Sequence, residues 1–248
     1  MQLMFLASMK VLITGGSGDL GKSLMKAFKK AYAPTHSEMD VTNANSTNKA
    51  ILGFRPNILI HAAALVGVRE CEENKEKAWL TNVEGTQNVV NSLKKLENKC
   101  YLVYISTACV FAGEYKKFYT EDDIPAPKNY YSLTKLCGEI VTRQYTNSCI
   151  IRTNFVPKKQ WKYPKAFVDR FGTYLFSDNV AQGIYEVCKK KVKGIVHIVG
   201  DRRISMYELA LLAGSKNVGK MTLADYQGPS LTVDMSLSTK RWKKYKIK

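Results

Sequence analysis

The chain has 248 residues, 45% of them apolar, enough for one large α/β core with a small appendage. No run approaches the ~18 consecutive apolar residues of a membrane helix, and no positive residue precedes the mildly apolar start Met1–Met9, so neither a spanning segment nor a signal peptide is expected and the compartment is the cytoplasm. The formal net charge of +17 is compatible with nucleic acid or an anionic small molecule, but the lysines are scattered over helix ends and turns and only the tail from Lys240 is dense, so a solvated surface with no nucleic-acid or membrane partner is expected.

In chain order, Val11-Leu12-Ile13 reads as a short buried strand, followed by a helix over 21–32 with Leu20, Leu24 and Phe28 at four-residue spacing. Ile58-Leu59-Ile60 is the next strand, 82–96 a helix with Val83, Val89, Val90 and Leu93 on one side, and 101–105 a third strand. Residues 112–129 carry acids, prolines and a glycine and read as a loop; 131–145 is a helix and Cys149-Ile150-Ile151 a strand. After Val156 the texture changes: 157–170 is basic and aromatic, then come a helix (179–189), a strand (195–199) and a helix (206–213). This alternation predicts an α/β fold, a Rossmann-type doubly wound parallel sheet over 1–155, with 156–248 forming a small C-terminal substrate-binding subdomain that is not an independent domain.

The turn Thr14-Gly15-Gly16-Ser17-Gly18-Asp19-Leu20-Gly21 joins the first strand to the first helix. Glycines at 15, 18 and 21 allow a tight turn, close approach of backbone to a pyrophosphate, and close helix–strand packing, while the helix N-terminus offers free N–H groups to the phosphates. The strand before and the helix after lift this pattern above a chance glycine turn. Cofactor choice is expected where the second strand ends, which places Thr35, His36 and Ser37 at the adenosine ribose. These neutral or positive donors favour NADP; NAD stays open if Glu38 is the ribose acid.

Tyr131 and Lys135 stand four apart, on one face of a helix. A neighbouring ammonium lowers the pKa of a phenol, fitting Tyr131 to exchange a proton with a forming alkoxide. Ser106-Thr107 closes a strand at the sheet's carboxyl edge, where a hydroxyl can bond a substrate carbonyl. Asn82 either caps a helix or serves the site. Six cysteines without a C-x-x-C pair and three dispersed histidines give no metal site by spacing, so reduced buried thiols are expected.

The glycine turn, Asp40-Val41, His61-Ala62-Ala63-Ala64, Asn82-Val83-x-Gly85-Thr86, Ser106-Thr107 and Tyr131-x-x-x-Lys135 occur in the order of the extended short-chain dehydrogenase/reductases. The stretch from Arg55-Pro56-Asn57 to Gly85-Thr86, with Val110-Phe111 and Lys135-Leu136-x-Gly138-Glu139, resembles the dTDP-4-dehydrorhamnose reductase branch. The resemblance implies a catalytic triad of Thr107, Tyr131 and Lys135, with Lys135 also on the nicotinamide ribose. It implies Ala62, Ala63 and Ala64 beside the adenosine, Asp40 and Val41 at the adenine, and Val66, Ser106, Thr107 and Phe155 bordering the substrate. Ala108-Cys109 depart from it: related dehydratases carry Asp-Glu there and the reductase branch usually Asp-Tyr. The expected activity is reduction of a keto sugar, specifically a nucleotide-linked 4-keto-6-deoxy sugar, by a homodimer. A nucleotide-sugar epimerase and a non-catalytic NADP-binding regulatory subunit are the alternatives.

Overall fold

The computed structural model describes residues 9–247, so all but the last residue of the Met1–Met9 start lies outside the described residues. Six parallel strands form the central sheet: β1 (Val11–Thr14), β2 (Ile58–His61), β3 (Tyr101–Ile105), β4 (Ser148–Thr153), β5 (Gly194–Gly200) and β6 (Lys244–Tyr245), side by side in that order. The helices are α1 (Asp19–Ala27), α2 (Ala44–Phe54), α3 (Val68–Glu73), α4 (Lys75–Trp79), α5 (Gly85–Lys94), α6 (Tyr130–Arg143), α7 (Ser177–Lys190) and α8 (Met206–Leu212). Among the described residues no helix is long and apolar enough to cross a membrane.

Strands β1 to β4 are buried along their length because both faces of the sheet are covered. The two-residue side-chain alternation divides them cleanly. Val11, Ile13, Ile58 and Ile60 pack with Leu20 and Leu24 of α1 and with Val180, Ile184 and Val187 of α7. Leu12, Leu59 and Leu102 pack on the other side with Ile51, Val89, Val90 and Leu93. Truncating a fully buried member such as Leu24 or Leu59 to alanine costs about 2–5 kcal/mol.

Three expectations are corrected. Helix α1 stops at Ala27 rather than Tyr32, because Tyr32 is needed beside β1: its N–H bonds Val11 O, its carbonyl accepts from Ile13, and it forms a single parallel bridge with Leu12. Ala33-Pro34 then ends the pairing, since proline has no N–H to extend a ladder. The strand expected there is thus one residue long. Second, Asn82 does not open a helix. It lies inside a continuous helical path, in a π-helical turn (Leu80–Glu84) between α4 and α5.

Third, a boundary at 155 cuts the sheet. Strands β5 and β6 belong to the central sheet and helix α7 packs on it, with Val196 and Ile198 buried in the same core as Ile13. Outside the sheet stand a ladder of Phe171–Gly172 flanked by Ile204–Ser205 and Asp234–Met235, a second pairing Lys165–Phe167 with Gly219–Met221, and a third pairing Phe155–Val156 with Leu175–Phe176. Helix α8 is started by a capping box between Ser205 and Glu208. A third core of Phe111, Tyr119, Tyr174, Phe176, Leu209, Met235 and Leu237 glues this layer to the loop over 112–129.

Candidate active site

The Tyr32 bridge lies on one side of β1 and β2 on the other, so the chain changes direction at the carboxyl end of β1. Open α/β sheets bind ligands at such a switch point. A cleft of about 720 Å³ opens there, lined by the whole turn from Thr14 to Gly21, by Thr35, His36, Asp40 and Val41, and by Ala62, Ala63, Ala64, Val66 and Phe155. Ala33, Pro34, Met39, Thr42 and Thr81 line it too; these, with Thr14 and Gly16 of the turn, are lining residues the sequence did not single out.

The glycines have separate jobs. Gly15 has φ +72°, and a Cβ there would lie within 2.9 Å of the Ala62 and Ala63 backbone. A Cβ on Gly21 would overlap Gly15 O and the Gly16 backbone, so this glycine seats α1 on the turn. Gly18 differs: a Cβ there would meet only Gly15 O, at 3.4 Å. Gly18 is the N-cap of α1 and supplies no side-chain cap, which leaves the first N–H groups of α1 free for an anion.

The 61–66 segment that faces this turn is pinned from below. His61 Nδ1 shares a hydrogen with Thr14 Oγ1 at 2.7 Å and its Nε2 meets Thr86 Oγ1 at 3.1 Å. Burial, with Lys135 adding repulsion, pushes His61 down to about 3, so the ring is neutral. Ala63 N donates to Thr14 Oγ1. Asn82 is 1% exposed and does not line the cleft. Its Oδ1 accepts from Leu65 N, and its Nδ2 donates to Leu65 O and to Thr134 Oγ1 on α6. Asn82 therefore fastens the inner wall of the cleft to the helix that carries Tyr131 and Lys135, the structural reason for placing an amide inside a helix.

Where the sequence places the adenosine, Glu38 is spent locally: its carboxylate accepts from Thr35 N and Thr35 Oγ1, which hold its pKa below the usual carboxylate range. Neither Glu38 nor Ser37 lines the cleft, and Ser37 bonds Thr35 Oγ1. The His36 ring is exposed, with Nε2 3.8 Å from Asp40 Oδ2. Asp40 accepts from Thr42 N and Oγ1, contacts that offset the cost of its partial burial.

Tyr131 and Lys135 lie one turn apart on α6, which is capped by Asn129, whose side chain accepts from Ser132 N. The expected depression of the phenol by the ammonium is absent. Desolvation raises Tyr131, Cys109 and Cys71 add to it, and the Thr107 hydroxyl pulls the other way. Lys135 is 3% exposed, and burial lowers it to about 7 against a smaller opposing effect of Glu139. Its Nζ stands over the Tyr104 ring, 4.2 Å from the centroid. Gly138 lets that ring lie close under α6, where Tyr104 OH meets the Lys135 carbonyl.

Thr107 is buried at the end of β3 and its Oγ1 accepts from Cys109 N. Thr107, Tyr131 and Lys135 do not line the cleft, and neither does Ser106. Its hydroxyl donates to Glu139, which also holds Arg152 through Nε and Nη2 at 2.9 and 2.7 Å in a fully buried pair. Side chains alternate faces along an extended segment, so adjacent hydroxyls at 106 and 107 point to opposite sides. All six cysteines are free.

The family model described as RmlD substrate binding domain matches residues 9–221. The chain belongs to this family. A dTDP-4-dehydrorhamnose reductase of Aggregatibacter actinomycetemcomitans is 28% identical over 86% of this chain and 81% of its own. The crystal structure of a hypothetical dTDP-4-dehydrorhamnose reductase from Sulfolobus tokodaii is 32% identical, covers 92% of both chains and has a TM-score of 0.81. The Bacillus anthracis dTDP-4-dehydrorhamnose reductase, solved in complex with NADP, is 24% identical with a TM-score of 0.84 over 93% of this chain and 90% of its own, a likeness of fold. Within the RmlD family fold, the cleft described above sits at the carboxyl edge of the sheet, and Asn82 links its 64–66 wall, through Leu65, to Thr134 on the helix that carries Tyr131 and Lys135.

Proposed function

We propose that the chain is an NADP-dependent oxidoreductase that reduces the keto group of a nucleotide-linked 4-keto-6-deoxy sugar. The observation that carries this reading is the joining of two features by one residue: Asn82 ties the wall of a phosphate-ready cleft to the helix bearing Tyr131 and Lys135. The residues fit a dinucleotide. The free N–H groups at α1 and the open face of Gly18 suit its pyrophosphate, and the cleft-lining Thr35 and His36 suit a ribose phosphate, with Glu38 turned onto Thr35.

When bound, the dinucleotide supplies a hydride. Thr107 donates a hydrogen bond to the carbonyl oxygen and Tyr131 delivers a proton to the oxygen as it becomes an alkoxide. The raised pKa of Tyr131 keeps it protonated at neutral pH, the form a reductase needs at the start. Lys135, lowered to about 7, is free to engage ribose hydroxyls. Work in the cytoplasm accords with six unpaired thiols. Association as a homodimer is supported by Leu133 and Ile140, apolar and exposed on α6, and by exposed Trp79; sedimentation checks it.

The test is absorbance-monitored NADPH oxidation by the purified chain. NADPH should be consumed only when a dTDP-linked 4-keto-6-deoxy sugar is added, with kcat/KM favouring NADPH over NADH. Tyr131→Phe should bind NADPH normally while losing about 10²–10⁴-fold in kcat. NADPH binding without turnover across the sugar panel would make the chain a regulatory subunit. Sugar interconversion without net NADPH loss would make it an epimerase.

A further inference from the structure

The phosphate-binding end of the cleft contains a charge of the wrong sign. Asp19 is the first residue of α1 and lines the cleft where the N–H groups of the helix face a pyrophosphate. A carboxylate favours a helix N-terminus, but there it competes with the anion the site is shaped for. It is met by one cation: Lys159 Nζ lies 2.9 Å from Asp19 Oδ1, across 140 residues of sequence. The segment carrying Lys159 is held on both sides. Phe155–Val156 pairs with Leu175–Phe176, Phe155 lines the cleft, and Trp161 N donates to Ser215 Oγ. Lys159 N closes a turn on Pro157 O, and the neighbouring Lys158 stands over the Phe176 ring. The ammonium is thus presented at the cleft by an anchored loop rather than by a free tail.

We propose that Lys159 is a cofactor-positioning residue: by neutralising Asp19 from the far lip, it allows the glycine turn to accept the dinucleotide pyrophosphate. The inference rests on the dinucleotide reading of the cleft. The pair is solvent-facing, with side chains 59% and 43% exposed, so its value lies in binding an anion beside it rather than in stability. Removing the lysine alone leaves the carboxylate facing two phosphate charges. Removing the carboxylate as well abolishes the need for the lysine.

The experiment is a double-mutant cycle on Lys159→Met, Asp19→Asn and the pair, reading Kd for NADPH and for 2′-AMP, which has the ribose phosphate but no pyrophosphate. Lys159→Met is expected to weaken NADPH about tenfold while leaving 2′-AMP within about twofold, and the double variant to return NADPH to within about threefold of the parent. Melting temperatures of the free proteins should coincide. If Lys159→Met binds NADPH like the parent, or the double variant stays as weak as Lys159→Met, the proposal is overturned while the cofactor reading stands. If the parent binds neither NADPH nor NADH, both fall.

Discussion

Lys135 makes a pH-dependent demand on the fold that can be measured without substrate. In the unfolded chain its ammonium keeps its proton to about pH 10; in the folded chain, 3% exposed, its pKa is lowered to about 7 by burial. Between these values the unfolded state binds more protons than the folded one, so stability rises with pH. It is lost again as pH falls toward 7, where the buried amine must carry charge. Each pH unit above the folded-state value is worth ~1.4 kcal/mol, so from about pH 6 to about pH 8.5 the expected gain is about 2 kcal/mol. Lys135→Met keeps the length of the stem and removes the titration. Urea unfolding of both proteins at constant ionic strength isolates the effect as a difference, which cancels the thiols and phenols that titrate higher. Below pH 7 the methionine variant should be the more stable, or equal; parental stability should rise relative to it by about 2 kcal/mol over that interval. Parallel stability profiles would refute the reasoning, since they would mean that the amine reaches water or a partner throughout.

Gly21→Ala should lower the melting temperature and abolish NADPH binding, because its methyl overlaps the turn, whereas Gly18→Ala should fold like the parent and lose NADPH affinity, its methyl standing where phosphate approaches; titration and thermal melts separate the two. Glu139→Gln should cost about 3–5 kcal/mol in urea unfolding, as it leaves the buried Arg152 guanidinium uncompensated. Asn82→Ala strands the Leu65 N–H and carbonyl, and should cost about 1–3 kcal/mol and loosen NADPH binding in the same titrations.

The legible parts of the sequence were those whose reason is local. Ile58-Leu59-Ile60 reads as a strand because both faces of the sheet are covered, so alternation vanishes into an apolar run. The glycine turn reads because its neighbours in space are largely its neighbours in sequence. The helix Ala44–Phe54 escaped notice: it buries only Thr47 and Ile51, too little for a stripe, and its start rests on Asn43 accepting from Ser46 N. The role of Asn82 escaped because its partners, Leu65 and Thr134, are 17 and 52 residues away. The facing of Ser106 and Thr107 depends on which side of β3 holds the Glu139–Arg152 pair, a fact of tertiary packing. The boundary at 155 failed because the strand that continues the sheet, β5, comes after an excursion of some forty residues that carries the basic, aromatic texture of the cleft lip.

On the proposed reading, the phosphate-binding and chemical parts of the site draw on different resources. The phosphate end is made of backbone: free N–H groups, a positive φ and absent side chains, with Asp19 as the exception that Lys159 answers. The chemical end is made of side chains whose protonation is set by burial. Ala108 and Cys109, where the related reductases usually place an Asp and a Tyr, are buried in the third core, and the Cys109 thiol contacts the Met235 sulfur at 3.3 Å. The same sulfur receives Asn154 Nδ2 and Arg170 Nη2. These two positions thus pack the segment after β3 against the outer ladder. Placing a carboxylate at Cys109 would bury a charge against a thioether, a cost relieved only if the outer ladder moved.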